Sequence, residues 1–366
     1  MKSLRYRLYL LGFLATTGCL EPLTDPPATD EVEQAATGKC PDFGCGVNGP
    51  NIDGGWFHDL NLDGEPNEKG FALIGYLRKG NALYTLGVTN GRLSGSFFLG
   101  PVGSPSTVSG TALQGATFKL ERHGTIRYTA TIQSVRTDAE YWAKHPDGDA
   151  LPRVETYRIY VVADETGIGD YLCPLPRTVT AGPDPMPEHS ALVFEGDRIS
   201  ATNKTVSILN NNRWFNIGCE GSVIAKLHLS GHSQAAVSVG LVTNKLERQT
   251  MLKSLVADYC GRGAPFTVGG QRLEWRSDDN MLGFFAWIPN QVEARWTPQG
   301  AACLNTPRIT AHPTAASNAE FPPYMLEDLI ETECEANDRP RPPPCGTSST
   351  GYHLSTFNIL PFTTYP

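Results

Sequence analysis

From residue 50 to residue 180, short apolar runs with a period of two are separated by glycine-containing turns. Phe71–Leu77 and Asn81–Leu86 flank Lys79-Gly80. Arg92–Phe98 follows Asn90-Gly91, a dipeptide suited to a two-residue hairpin because both positions tolerate positive φ. Ala116–Leu120 and Thr125–Ile132 flank a turn at Arg122-His123-Gly124. Thr156–Val162, rich in β-branched and aromatic residues, is the last clear run. Many short strands with no helical period predict an antiparallel β-sandwich or barrel.

A proline-rich break from Pro174 to Pro187 leads into a mixed pattern. Asn244-Lys245-Leu246-Glu247 has the form of a capping box, with Glu247 able to reach back to the Asn244 amide. Leu252, Leu255, Val256 and Tyr259 recur at helical spacing, and Gly261 is placed to stop that helix. Glu220–His232 fits both periods. Val223, Ile224 and Leu227 share a helix face, while Val223, Ala225, Leu227 and Leu229 alternate as in a strand. Phe266-Thr267-Val268, Gly269-Gly270 and Arg272–Trp275 read as a hairpin. Met325–Cys334 is a short helix candidate in an otherwise loop-like end. The fold class expected is β-rich α+β. An antiparallel β domain at 48–180 precedes a mixed α/β, disulfide-stapled domain at 188–310 and a loop-rich tail at 311–366.

The N-terminus reads as an export signal over residues 1–18. Basic Lys2, Arg5 and Arg7 precede the apolar run Leu8–Ala15, which is too short to span a bilayer core of about 30 Å. Thr16-Thr17-Gly18-Cys19 follows. Small residues before a cysteine suit a lipoprotein signal peptidase, which makes Cys19 the lipidation site and the start of the mature chain. Thr16 stands where such signals usually carry leucine. Ordinary cleavage near Ala15–Thr17 is the alternative. Residues 19–47 are rich in Pro, Asp, Thr and Ala and read as a solvated tether. The expected setting is the bacterial cell envelope, with the membrane as partner through the lipid, or secretion.

Composition narrows the function classes. Hydrophobic residues at 40% and charged residues at 19% permit a core and argue against long disorder outside the tails. Lys2, Arg5 and Arg7 leave with the signal and no acid does, so 27 basic residues face 38 acidic ones, a net charge of −11. Such a surface repels phosphate backbones, and nucleic acid is not expected as a partner. There are nine cysteines. One lipid on Cys19 leaves eight for disulfides: Cys40, Cys45, Cys173, Cys219, Cys260, Cys303, Cys334 and Cys345. Cys40 and Cys45 are close enough to pair with each other.

Ala257-Asp258-Tyr259-Cys260-Gly261 carries a resemblance. With it come Trp214–Cys219, Ala225–His228, Arg248–Leu252 and Trp296–Leu304, several separated motifs in order over roughly 190–310. In these the chain resembles the ADYC-domain family of bacterial secreted and lipid-anchored proteins. Phe57–Gly64 is similar too. The resemblance implies no mechanism, because the family has no established activity. One reading of the motif is architectural: Cys260 bonds to Cys303, or else to Cys219, and Tyr259 packs in the core. A Cys260–Cys303 loop contributes about 4 kcal/mol in the chain-entropy view. The other makes Cys260 a nucleophile, His228 its base and Asp258 the orienting acid.

Two metal readings arise. His228 and His232, four apart, face one side if that stretch is helical, and Asp258 or Glu220 could add a zinc ligand. Ser230-Gly231 between them weakens such a helix. Asp59, Asn61 and Asp63 followed by Gly64 copy the first half of a calcium loop. Gly70 stands where the bidentate glutamate belongs, so an Asx-rich turn accounts for the same residues. No nucleophile elbow and no phosphate loop occurs. The leading expectation is a non-enzymatic binding or structural protein without cofactor, save calcium if that loop is one, and with an unknown envelope or extracellular ligand. The alternative is an envelope hydrolase using Cys260 and His228, or a metal at His228 and His232.

Overall fold

The computed structural model describes residues 47–48, 52, 56–143, 147, 149–173, 189–207, 213–219, 222–241, 243–267, 271–277, 292–308, 323–336, 338–346 and 354–358. The strands in chain order are β1 (Val47–Asn48), β2 (Asp59–Asn61), β3 (Phe71–Lys79), β4 (Ala82–Thr89), β5 (Arg92–Leu99), β6 (Thr107–Ser109), β7 (Thr117–Arg122), β8 (Ile126–Ala139) and β9 (Val154–Ala163). After these come β10 (Gly169–Tyr171), β11 (Ser190–Glu195), β12 (Arg198–Ser200), β13 (Thr205–Ser207) and β14 (Trp214–Cys219). Helices α1 (Val223–Leu229), α2 (Gln234–Val237) and α3 (Lys245–Leu255) lie before β15 (Gln271–Ser277), β16 (Val292–Thr297) and β17 (Gly300–Leu304). Helix α4 (Pro323–Glu335) and β18 (Leu354–Asn358) are the last elements among the described residues.

The expected N-terminal strands all form. Asn90 and Gly91 take φ of 54° and 71°, which joins β4 to β5 in the tight turn their sequence favours. His123 and Gly124, also at positive φ, join β7 to β8. The resulting sheet has eleven strands in the order β2-β14-β11-β9-β8-β7-β3-β4-β5-β6, with β10 paired to the far end of β9. All of its pairings are antiparallel. The sheet therefore runs across the proline-rich break, and residues on both sides of 180–188 share it.

Strands β11 and β14 explain why one sheet can serve two parts of the chain. Every residue of β14 is buried, and so is all of β11 after Ser190. Side chains alternate between sheet faces. Ala191 and Val193 join a core with Phe215, Ile217, Leu77, Tyr84 and Ile132. Leu192 and Phe194 join a second core with α1, α3 and the strands around Trp296. The sheet curls over the first core until its β4–β5 turn meets β11. The amides of Asn90 and Gly91 donate to the Glu195 carboxylate at 2.8 and 3.0 Å, and that of Leu93 donates to the Tyr157 hydroxyl at 2.8 Å.

The second core rests on a five-stranded antiparallel sheet, β1-β15-β18-β16-β17. Two expectations change here. Strand β15 pairs with β1 and β18, not in a hairpin with Phe266, whose amide instead bonds the Val256 and Ala257 carbonyls. In the tail, α4 forms where a short helix is expected, and β18, held between β15 and β16, is the addition. The ambiguous segment resolves as helix α1, capped by the Ser222 hydroxyl. The capping box of α3 forms in both directions: Asn244 Oδ1 accepts from Leu246 and Glu247, and Glu247 accepts from the Asn244 amide.

Candidate functional site

Helix α3 ends one turn earlier than its apolar spacing suggests, so the Ala257–Gly261 segment lies just beyond it. The helix ends at Leu255, and Ala257, not Gly261, first takes the left-handed conformation, with φ of 54°. Each following side chain is then engaged in the interior. Asp258 pairs with buried Lys253 and accepts the amides of Arg262 at 3.0 Å and Gly263 at 2.7 Å. Lys253 fills its other two donors with the carbonyls of Asn203 and Gly261, at 3.0 and 3.1 Å. Tyr259 stacks on Trp296, with centroids 5.3 Å apart, and its hydroxyl donates to Glu293 at 2.6 Å. The same hydroxyl accepts the Arg308 amide, and Arg308 pairs with Glu293 at 3.1 Å. Cys260 bonds to Cys334 on α4. At Gly261, φ is 74° and a Cβ would lie 1.6 Å from the Gln299 carbonyl oxygen, so only glycine lets the β16–β17 turn pass.

A second polar cluster surrounds His228, which is fully buried on α1. Its ring stacks on Phe194 with centroids 4.3 Å apart. Nδ1 lies 2.8 Å from the Ser233 hydroxyl and Nε2 lies 3.3 Å from the Tyr141 hydroxyl. Tyr141 is set there because the Trp142 amide donates to the Leu229 carbonyl at the end of α1. Burial without a carboxylate partner pushes the His228 pKa down to about 3, so the ring is neutral. Burial, with nearby Glu195, also raises the Tyr141 hydroxyl, which stays protonated. Beside this pair opens a cavity of about 270 Å³, lined by the β4–β5 turn (Asn90, Gly91, Arg92), Tyr141, Glu155 and His228. Arg92 lies 3.5 Å from Glu155, whose other oxygen accepts the Tyr157 hydroxyl at 2.6 Å.

The structure separates the residues of the expected catalytic alternative. Cys260 is a disulfide sulfur, so it carries no thiolate, and its partner is Cys334 rather than Cys303 or Cys219. Cys303 pairs with Cys345, and Cys173 with Cys219. The reason is local. The β17 end turns towards the proline-rich stretch, where the Leu304 amide bonds the Pro343 carbonyl and Asn305 accepts the Cys345 amide. That leaves α4 to meet the end of α3. Asp258 serves Lys253, not His228. Cys19, Cys40, Cys45 and Glu220 lie outside the described residues.

The two histidines do not share a helix face. Helix α1 stops at Leu229, Gly231 takes a φ of 82°, and His232 Nδ1 turns back to the Ser230 carbonyl at 2.9 Å. Among the described residues, no group of three His, Cys, Asp or Glu side chains has a metal-holding arrangement. The oxygens of the Asp59–Gly64 segment face three different partners. Asp59 is buried 3.3 Å from Arg198 and 3.5 Å from His58, and desolvation raises its pKa. Asn61 Oδ1 accepts the Asp63 amide at 2.6 Å in an Asx turn, and exposed Asp63 pairs with Arg213.

Tyr141, Glu155, Arg92 and Ser233 escape sequence reasoning, since they lie on separate elements with no common spacing. The one available signal is at Ser233, whose hydroxyl caps α2 by accepting the Ala236 amide. Among the described residues, no helix is long and apolar enough to cross a membrane. A family model described as the ADYC domain matches residues 110–310, more than half of the chain, and extends well into the expected first domain. No curated protein matches the chain, and no solved structure matches it.

Proposed function

The chain belongs to the ADYC-domain family, and from that premise we propose that it is an exported, non-enzymatic binding protein, held at the cell envelope by a lipid on Cys19, whose ligand enters the cavity beneath the β4–β5 turn. The carrying observation is that cavity, where Tyr141, Arg92 and Glu155 converge beside a buried His228. Small-molecule sites combine a concave apolar wall with a few convergent polar groups of this kind. The family motif supports the reading from the other side. Asp258, Tyr259 and Cys260 are each engaged with the chain itself, which suits a keystone of the fold better than a reactive centre.

The chemistry of His228 also favours binding over turnover. A general base works best with a pKa near the operating pH. A neutral imidazole whose pKa is about 3 is a weak proton acceptor there, and its Nε2 faces a phenol that stays protonated. Three disulfides suit an oxidising compartment, in keeping with export. The test is a small-fragment screen on the mature chain by amide and imidazole NMR. Binding is expected to shift Gly91, Tyr141 and His228 together. A screen whose hits all fall elsewhere, or that yields none, rejects the cavity as the site. Mass spectrometry of the N-terminal peptide tests the anchor: a diacylglycerol-modified Cys19 supports it, and an unmodified terminus rejects it.

A further inference from the structure

We propose that the cavity takes a small molecule bearing a carboxylate, with the carboxylate held by Arg92 and Tyr141 and the apolar body lying against Pro152, Val154 and Val239; this rests on reading the cavity as a binding site. The hydrogen-bond arrangement behind Tyr141 sets the polarity of the site. The Ser233 hydroxyl oxygen already accepts the Ala236 amide at 3.1 Å. If His228 Nδ1 also donated to it, the buried Ser233 proton would have no acceptor among the described residues, at a cost of about 1–3 kcal/mol. The satisfied arrangement runs the other way. Ser233 donates to Nδ1, Nε2–H donates to the Tyr141 oxygen, and the Tyr141 proton is left to point towards an acceptor in the cavity. Tyr141 is thereby a pre-oriented donor.

Arg92 completes the donor set. Its Nε edge faces Glu155 at 3.5 Å, and Glu155 is itself steadied by the Tyr157 hydroxyl at 2.6 Å. The Arg92 side chain is half-exposed and lines the cavity. A planar guanidinium edge matches a carboxylate through two parallel N–H···O bonds. Of the two cations lining the cavity, Arg153 is paired with Glu140 at 3.1 Å, which leaves Arg92 as the cation to meet a ligand, and Pro152, Val154 and Val239 supply the apolar part of the wall. The Glu195 carboxylate behind the turn is taken by the Asn90 and Gly91 amides. A volume of about 270 Å³ admits only a small ligand. Arg92 stands outside the segment that matches the family model, so the residue that selects charge comes from the N-terminal hairpins.

The test uses four probes on the full mature chain: benzoate, isobutyrate and their neutral twins benzamide and isobutyramide. Saturable shifts of the Gly91 amide and His228 ring resonances report occupancy. Both acids are expected to bind at least about tenfold more tightly than their amides, with Arg92→Gln weakening the acids by about tenfold or more and Tyr141→Phe by about fivefold. Arg92 is half-exposed, and an unchanged melting temperature confirms that R92Q folds. Amides that bind as well as the acids, or an acid affinity unmoved by R92Q, overturn the carboxylate assignment while leaving the cavity a binding site. Silence from all four probes also overturns it, and the fragment screen then decides whether the cavity binds anything.

Discussion

Lys253 and His228 are both buried bases, and the fold treats them oppositely. Lys253 is given a carboxylate and two carbonyls, so its three donors are matched and the charge is kept. Burial lowers its pKa, and the Asp258 charge opposes that fall. His228 is given only Ser233 and Tyr141, neutral groups, and gives up its charge instead. The first arrangement closes on itself and leaves nothing to offer a ligand. The second ends at a phenol facing open space. Polar groups satisfied by their own chain hold the fold, and polar groups left with capacity at a cavity recognise something else.

The contrast can be broken from either side. The largest effect is expected at His228 in acid. Its folded pKa lies below the unfolded value of 6.5, so its contribution is present above pH 6.5 and is lost as pH falls towards about 3, where the unfolded chain alone takes up the proton. Over that window the loss is on the order of 5 kcal/mol. Urea unfolding of the native chain and His228→Gln should therefore converge as pH falls, whereas parallel profiles would show that His228 is not neutral. Asp258→Ala strands the Lys253 charge and two amides, and should cost about 4 kcal/mol at pH 7. Tyr259→Phe removes one hydroxyl shared by Glu293 and Arg308 and should cost about 2 kcal/mol. Gly91→Ala places a side chain at a φ of 71°, 3.4 Å from the His228 ring, and should cost about 1 kcal/mol while perturbing the cavity. If G91A were neutral and left the His228 resonances in place, the turn would not form the cavity wall as described.

What the sequence made legible follows range of interaction. Period-two runs, Asn90-Gly91 and the Asn244–Glu247 box act within a few residues, and each produced the element expected of it. The end of α3 did not, because tertiary packing placed Ala257 in a conformation that composition alone assigns to Gly261. Continuity of the sheet across Pro174–Pro187 depends on β11 and β14 being buried on both faces. In the sequence Trp214–Cys219 stands out only as part of the family resemblance, which names no strand partner. Cys334 lies 74 residues from Cys260, and local spacing cannot choose it over Cys303. Of the candidate site, only His228 was legible. Arg92, Tyr141, Glu155 and Ser233 reach it from four other elements, by contacts that exist only once the sheet has curled.

Cys260 is a structural sulfur at the corner where α3, α4 and the β16–β17 turn meet. Non-reducing peptide mapping of the native protein, with alkylation of any thiol before digestion, tests this most directly. The expected result is a Cys260–Cys334 linked peptide, with Cys303 joined to Cys345 and Cys173 to Cys219. A free, alkylatable Cys260 contradicts the account and returns that residue to the list of possible nucleophiles.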